Sequence, residues 1–164
     1  MATDPLQGAH LYKSTPDEFE SDESNSTTNT VRNLIQVNRD AKKGLAAAAD
    51  AFGDEYLNER FRDLSGESGR FVEELIAAAP PADLGETGSI TGTLRRAWIE
   101  VNAATASDAA ILEDAEAAED RVSAAYAAAL TADLSQSVDA VVRRQYEEVR
   151  VRRDEVRALR DARR

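Results

Sequence analysis

Apolar residues recur every three or four positions through four long segments, and this spacing restricts the fold more than any other feature. It places the apolar side chains along one face of an α-helix. We therefore predict helices over residues 31–52, 55–79, 107–131 and 133–164, and an all-α protein. The four stripes are Val31, Leu34, Asn38, Ala41, Leu45, Ala48 and Phe52; Leu57, Phe61, Leu64, Ser68, Phe71 and Leu75; Leu112, Ala115, Glu119, Val122, Tyr126 and Leu130; and Val138, Val142, Gln145, Val149, Arg152, Val156 and Leu159.

The segments between the stripes predict where the helices end. Gly53 and Asp54 separate the first two helices, and two prolines follow the second. Ser107 or Asp108 caps the third helix, and the residues from Asp133 to Gln136 have the pattern of a capping box for the fourth. The connections between helices one and two and between helices three and four are therefore tight.

The connection between helices two and three is long enough to return along the edge of a bundle. It contains a short predicted helix over residues 90–104, with Leu94, Trp98 and Val101 on one face. Trp98 is expected to anchor this crossover to the core, or else to lie in an oligomer interface. Two antiparallel hairpins joined by one long crossover define a ferritin-like four-helix bundle.

Each apolar stripe is interrupted near its middle by a polar residue. Counting from the hairpin turns places these residues, Asn38, Ser68, Glu119 and Gln145, within about one helical turn of a common layer. Tyr126 lies two turns from Glu119, and Arg152 is expected to reach Glu119 as an internal ion pair. Buried polar groups are normally paired, so these six residues are predicted to form a structural hydrogen-bond network.

The same layer is where carboxylate-bridged di-metal proteins hold their ligands, which are Glu residues and Glu-x-x-His pairs. This chain offers neutral side chains in three of the four positions, and its single histidine is His10. We therefore expect no metal, no cofactor and no catalytic residue. The alternative is a weak metal site formed by Glu119, Asp40 and Glu148, whose side chains lie on helix faces rotated relative to one another.

Several short motifs resemble one known family. They are Asn38-Arg39-Asp40, residues 71–75, Gly92 to Trp98, Glu119-Asp120 with Tyr126, Gln145, and residues 156–161. Over residues 31–162 the chain is similar to a bacterial ferritin-like family of four-helix-bundle proteins known as a domain of unknown function. The chain departs from it at Leu45, where members often have a tyrosine or another aromatic residue, and near Arg153, where they often have a histidine. The resemblance implies the fold but no activity.

Charge and composition narrow the choice of partners. The net charge is −11, which disfavours nucleic acid and anionic membranes. Nine arginines lie within residues 143–164, but five acidic residues are interleaved with them, so a solvated, salt-bridged face is expected instead of a nucleic-acid patch. There are no cysteines, no secretory-signal pattern, and no apolar run longer than residues 124–130. A cytoplasmic protein is expected.

The first thirty residues differ from the remainder of the chain. Residues 1–30 are rich in Ser, Thr, Asn and acidic residues and show no period, whereas residues 31–164 form the predicted bundle. This tail is predicted either to be disordered or to order on a protein partner. Three functions remain: a non-enzymatic bundle that forms a homo-oligomer, a metal-binding or oxidative-stress protein with a remnant site at Glu119, and an adaptor that docks through its tail.

Overall fold

The computed structural model of this chain describes residues 16–79 and 107–163, and these residues form four α-helices and no strand. The helices are α1 (Pro16–Ala51), α2 (Glu55–Ala78), α3 (Asp108–Ala129) and α4 (Gln136–Asp161). The predicted all-α class is confirmed for this part of the chain. The short helix predicted over residues 90–104, including Trp98, lies outside the described residues.

Each helix packs against two others. Helix α1 contacts α2 and α3, and α4 contacts the same two helices, so the four helices surround one common core. None of these helices has an apolar stretch long enough to cross a lipid bilayer.

The core consists of the faces that the spacing predicts. All residues of the four stripes are buried except Leu130 and Leu159, which are half-buried at the ends of the third and fourth stripes. Near the turn between α1 and α2, the rings of Phe52 and Phe61 pack edge to face, with centroids 4.7 Å apart.

Helix α1 begins at Pro16, fifteen residues before the predicted start at residue 31. Thr27 and Thr28 are buried in this added part. The Thr27 hydroxyl donates to the carbonyl oxygen of Asp133 at 3.1 Å and accepts from the backbone N–H of Ser135 at 3.3 Å. These bonds compensate for burying a polar side chain, which is why apolar periodicity did not reveal the packing of this segment. The prediction that residues 1–30 are disordered or dock a partner stays a prediction.

The caps explain the other helix starts. The Asp54 carboxylate accepts from the backbone N–H of Leu57 at the start of α2, and the Ser107 hydroxyl accepts from Ala110 at the start of α3. The predicted capping box at Asp133 is wrong: the N-cap of α4 is Ser135, whose side chain makes no capping bond. Because Thr27 engages the loop at both Asp133 and Ser135, a contact from α1 fixes the entry into α4.

Candidate functional site

The six residues predicted to form a polar layer are all buried in the core. Asn38 lies on α1, Ser68 on α2, Glu119 and Tyr126 on α3, and Gln145 and Arg152 on α4. Arg152 is 2% exposed and the other five are fully buried. Each is accessible only to neighbouring protein atoms, so the chemistry of the layer depends on how these side chains bond to one another.

A first set of hydrogen bonds crosses from α1 to α4. Asn38 Nδ2 donates to the Tyr126 hydroxyl at 2.7 Å and also to the carbonyl oxygen of Leu34 at 2.8 Å. The Tyr126 hydroxyl in turn donates to Gln145 Oε1 at 2.8 Å. The Tyr126 hydroxyl therefore bonds to Asn38 and Gln145, not to Glu119.

Gln145 extends this set to α2. Its Nε2 donates to the carbonyl oxygen of Phe71 at 3.2 Å and to Glu74 Oε2 at 2.8 Å. Asn38, Tyr126, Gln145 and Glu74 thus form one chain of bonds that includes a residue from every helix. We call this chain the core relay.

Glu74 connects the core relay to a closed ring of ion pairs on the protein surface. Arg70 contacts Glu74 Oε1 at 3.1 Å and Glu148 Oε2 at 2.6 Å, while Arg144 contacts Glu74 Oε2 and Glu148 Oε1 at 2.8 Å each. Sequence reasoning missed Glu74. The signal that could have found the ring is the four-residue spacing of Arg70 from Glu74 on one helix and of Arg144 from Glu148 on another.

The second set of bonds is the predicted ion pair between Arg152 and Glu119, which is present. Arg152 Nε lies 2.7 Å from Glu119 Oε2, and Arg152 Nη1 donates to the Ser68 hydroxyl at 2.9 Å. Arg152 Nη2 and Glu119 Oε1 have no hydrogen-bond partner among the described residues. The contact is thus a single bond, unlike the pair of Arg60 with Glu155, in which two nitrogens meet two oxygens at 2.6 and 2.8 Å.

Phe71 lies between the two sets. The Arg152 guanidinium carbon is 5.8 Å from the centroid of its ring, and the Tyr126 ring packs edge-on to it with a centroid distance of 6.5 Å. A cation over an aromatic face is attracted by the ring quadrupole, and this attraction strengthens when water is excluded. Phe71 therefore stabilises the Arg152 charge in a site with few polar neighbours.

Burial dominates the electrostatics of the layer. Burial raises the pKa of Glu119 above its usual value, although the charge and hydrogen bond of Arg152 oppose this shift. Burial also raises the pKa of the Tyr126 hydroxyl, against the opposing effect of its bond with Asn38, so the tyrosine is neutral at physiological pH. Both shifts have the same cause, since a charged carboxylate or phenolate at these positions would lie where water is excluded.

A di-metal centre does not fit this donor set. The layer supplies one carboxylate, Glu119, and one of its oxygens already accepts from a guanidinium cation. The other positions hold a neutral amide or a hydroxyl, and the only imidazole of the chain, that of His10, lies outside the described residues. Two metal cations would need several anionic oxygens where this layer has a buried arginine.

The structure does not bring together the residues of the alternative metal site. Asp40 accepts from Gln36 on its own helix, Glu148 belongs to the surface ring, and Glu119 faces Arg152. Among the side chains that the structure describes, no three acidic or imidazole groups come together in a way that could hold a metal ion.

The arginines near the carboxyl end of α4 are engaged with acidic side chains. Beyond the predicted partners within α4, they reach α3: Arg157 and Arg160 both pair with Glu116, a buried carboxylate, and Arg153 lies 3.8 Å from Asp120. Just beyond the end of α4, Arg163 pairs with Asp54 at 3.0 Å. These contacts hold α4 against α3 and the start of α2.

The fold and the site define a class: an all-α protein whose four helices enclose a buried polar network centred on an arginine–glutamate pair. Residues 26–132 match the family described as Domain of unknown function (DUF2383). The match spans more than half of the 164 residues, so the chain belongs to this family. The matched region runs from α1 to the turn before α4. It is shorter than residues 31–162, over which the sequence motifs resemble the family. No curated protein matches the chain.

Proposed function

We propose that this protein is a metal-free ferritin-like four-helix bundle that acts by association with a second copy of itself and not by catalysis. It is supported by the order of the four helices, by the ion pair of Arg152 with Glu119 in the core, and by apolar side chains exposed on α2 and α4.

The cross-helix contacts support an antiparallel order for every pair of neighbouring helices. Within each pair, contacts at higher residue numbers on one helix involve lower numbers on the other. The contacts are Lys42 with Ser65 and Ala49 with Asn58; Thr27 with Asp133, Asn38 with Tyr126 and Gly53 with Asp108; Arg60 with Glu155, Arg70 with Glu148, Glu74 with Arg144 and Ala78 with Ser137; and Glu119 with Arg152 and Tyr126 with Gln145.

This order supports the ferritin-like topology over a simple up-and-down bundle. The end of α2 lies beside the start of α4, where Ser137 donates to the carbonyl oxygen of Ala78. The start of α3 lies beside the turn between α1 and α2, where the Gly53 N–H donates to Asp108. The chain therefore leaves α2 at one end of the bundle and enters α3 at the other, as a long crossover requires.

The ion pair of Arg152 with Glu119 carries the proposal that the bundle holds no metal. A guanidinium cation, 2% exposed, lies in the core where a di-metal bundle of this topology has its cations. The buried positive charge offsets the only carboxylate of the layer. A metal ion would have to displace Arg152, leaving its charge without a partner in a dry site.

Exposed apolar side chains favour association. Among the described residues, the large apolar side chains left exposed are Tyr56, Ile76 and Val151, at 59%, 43% and 70%. All three lie on α2 and α4. Covering such surface contributes roughly 25 cal/mol for each Å² removed from water, which is a driving force for self-association through α2 and α4.

Sedimentation velocity over a range of protein concentrations, with the intact chain, tests this proposal. We expect a dimer that dissociates only on dilution. A monomer at every concentration up to the millimolar range would contradict the proposed self-association.

A further inference from the structure

The surface between α2 and α4 combines an exposed valine with an exposed glycine inside a helix. A groove of about 360 Å³ runs between the two helices, and Val151, the most exposed large apolar side chain of the described residues, lines it. On α2 the exposed Gly66 has no side chain, and a Cβ placed there would have no neighbour within 4 Å. Glycine inside a helix costs about 1 kcal/mol relative to alanine. Among the residues that the structure describes, no contact at Gly66 compensates for that cost.

Gly66 and Val151 lie at nearly the same height along the bundle. The ion pair of Arg70 with Glu148 fixes the register of α2 against α4, and the pair of Arg60 with Glu155 repeats that register two to three turns away. Counting from these contacts places Val151 opposite the turn of α2 that contains Gly66. The face thus has a projecting apolar side chain beside a bare patch of helix.

We propose that the face formed by α2 and α4 binds the same face of a second copy, with Val151 of each copy packed on Gly66 of the other. This inference rests on the proposed self-association and assigns it to a surface. A two-fold axis that runs along the groove, parallel to the helices, relates the two copies, so the contact is self-complementary. The missing side chain at Gly66 lets the two helices approach closely.

The charges around the centre agree with this pairing. A two-fold axis along the groove keeps the direction of each helix, so α2 of one copy runs antiparallel to α4 of the other. A residue that precedes Gly66 then faces one that follows Val151 by the same number of positions. With Val151 over Gly66, Arg62 faces Glu155 and Arg70 faces Glu147. Both pairs join opposite charges, and positions 62, 66 and 70 share one stripe of α2.

The charged side chains at the rim are accessible for these contacts. The side chains of Arg62 and Glu147 are 62% and 68% exposed, and their pairs within the chain, with Asp50 and Arg150, are exposed as well. Such exposed pairs contribute little to the monomer, so each side chain can take a second partner without loss. The arrangement has an apolar centre and a polar rim, as protein interfaces commonly do.

Cross-linking between two single-cysteine variants tests the register directly. The chain has no cysteine, so introduced thiols react only with one another. A Gly66→Cys chain that carries a longer tag is mixed with a Val151→Cys chain and mildly oxidised. We expect the mixed disulfide to exceed both homodisulfides, because only residues 66 and 151 come within bonding distance across the axis. Ala117→Cys, on the exposed face of α3, replaces Gly66→Cys in the control.

A second variant separates this surface from the proposed function. Val151→Glu places a charge against the bare helix beside Asp63 and Glu67, and we expect it to weaken dimerisation by about tenfold or more in sedimentation, with unchanged helical circular dichroism. A monomeric wild type overturns both proposals. A dimeric wild type without the mixed disulfide, and with Val151→Glu still dimeric, overturns this interface alone.

Discussion

Arg152 Nε donates to Glu119 Oε2 at 2.7 Å, and the two side chains are 2% and 0% exposed. An isolated charge at this depth is costly, and the pair reduces the cost by placing opposite charges in contact. Ser68 and the ring of Phe71 complete the surroundings of the guanidinium. The pair links α3 to α4, and the bond to Ser68 adds α2.

Removing one member of this pair is expected to be far more damaging than removing both. Glu119→Gln leaves the Arg152 charge buried without a counter-ion and should lower the free energy of unfolding by about 3 kcal/mol or more. Replacing the pair with apolar side chains, Glu119→Leu with Arg152→Met, should recover most of that loss. Urea denaturation followed by circular dichroism measures both values. Equal stability of Glu119→Gln and wild type would show that the pair contributes nothing.

The Tyr126 hydroxyl is expected to stabilise the core through the core relay. Tyr126→Phe keeps the ring but removes the partner of Asn38 Nδ2 and Gln145 Oε1, and the latter becomes an unpaired buried acceptor. The expected loss is about 1–3 kcal/mol. Tyr146→Phe, at a half-buried position on α4, is the matched control and should cost less than half as much. Indistinguishable urea midpoints for the two variants would argue against the relay.

Glu74 is expected to make stability depend on acid pH. Burial raises its pKa, but hydrogen bonds from Arg144, Gln145 and Arg70 outweigh burial, and the pKa in the folded state is lowered. A lowered pKa contributes stability above the unfolded-state value of about 4.5, and this stability is lost as the pH falls through the folded-state value.

The variant Glu74→Gln isolates this contribution. It should be less stable than wild type by about 1–2 kcal/mol at pH 7, since Glu74 is 28% exposed and belongs to a network of ion pairs. The difference should shrink steadily below about pH 4.5. Thermal melts between pH 3 and pH 7 measure it, with Glu73→Gln, at an exposed position of α2, as the control. A difference that is constant over this range would exclude the assigned role.

Thr27 is expected to fasten the early part of α1 to the bundle. Thr27→Val preserves shape but removes both bonds of the hydroxyl to the loop before α4. The loss should be about 1–2 kcal/mol, because the carbonyl of Asp133 and the N–H of Ser135 lose their partner. Thr131→Val, which removes an exposed bond within one turn, should change stability by less than about 0.5 kcal/mol. Equal urea midpoints for the two variants would contradict the fastening role.

Periodicity was sufficient to predict the four helices and their buried faces. The signal repeats at every turn, so a polar residue such as Asn38 or Gln145 inside a stripe is recognised as buried from its position alone. The pairing of Arg152 with Glu119 was predictable for a related reason, since each is the only group of its charge sign in the stripes.

Contacts outside the stripes were not predictable in this way. Glu74 lies beside the stripe of α2 and joins the core relay only because the register of α2 against α4 brings it to Gln145. Thr27 and Thr28 are buried where no apolar residue marks a face, since backbone groups of a distant loop satisfy the Thr27 hydroxyl. Such contacts depend on how the helices are placed against one another, and the residues around one position do not reveal that placement.

The most direct test of the proposed metal-free bundle is the metal content of the purified chain after loading with iron(II) in air and removal of unbound metal. The ion pair of Arg152 with Glu119 and the neutral side chains of the layer predict that no iron is retained. Retention of about two irons per chain, the stoichiometry of a di-iron bundle, would contradict the account and show that other side chains converge on a metal site.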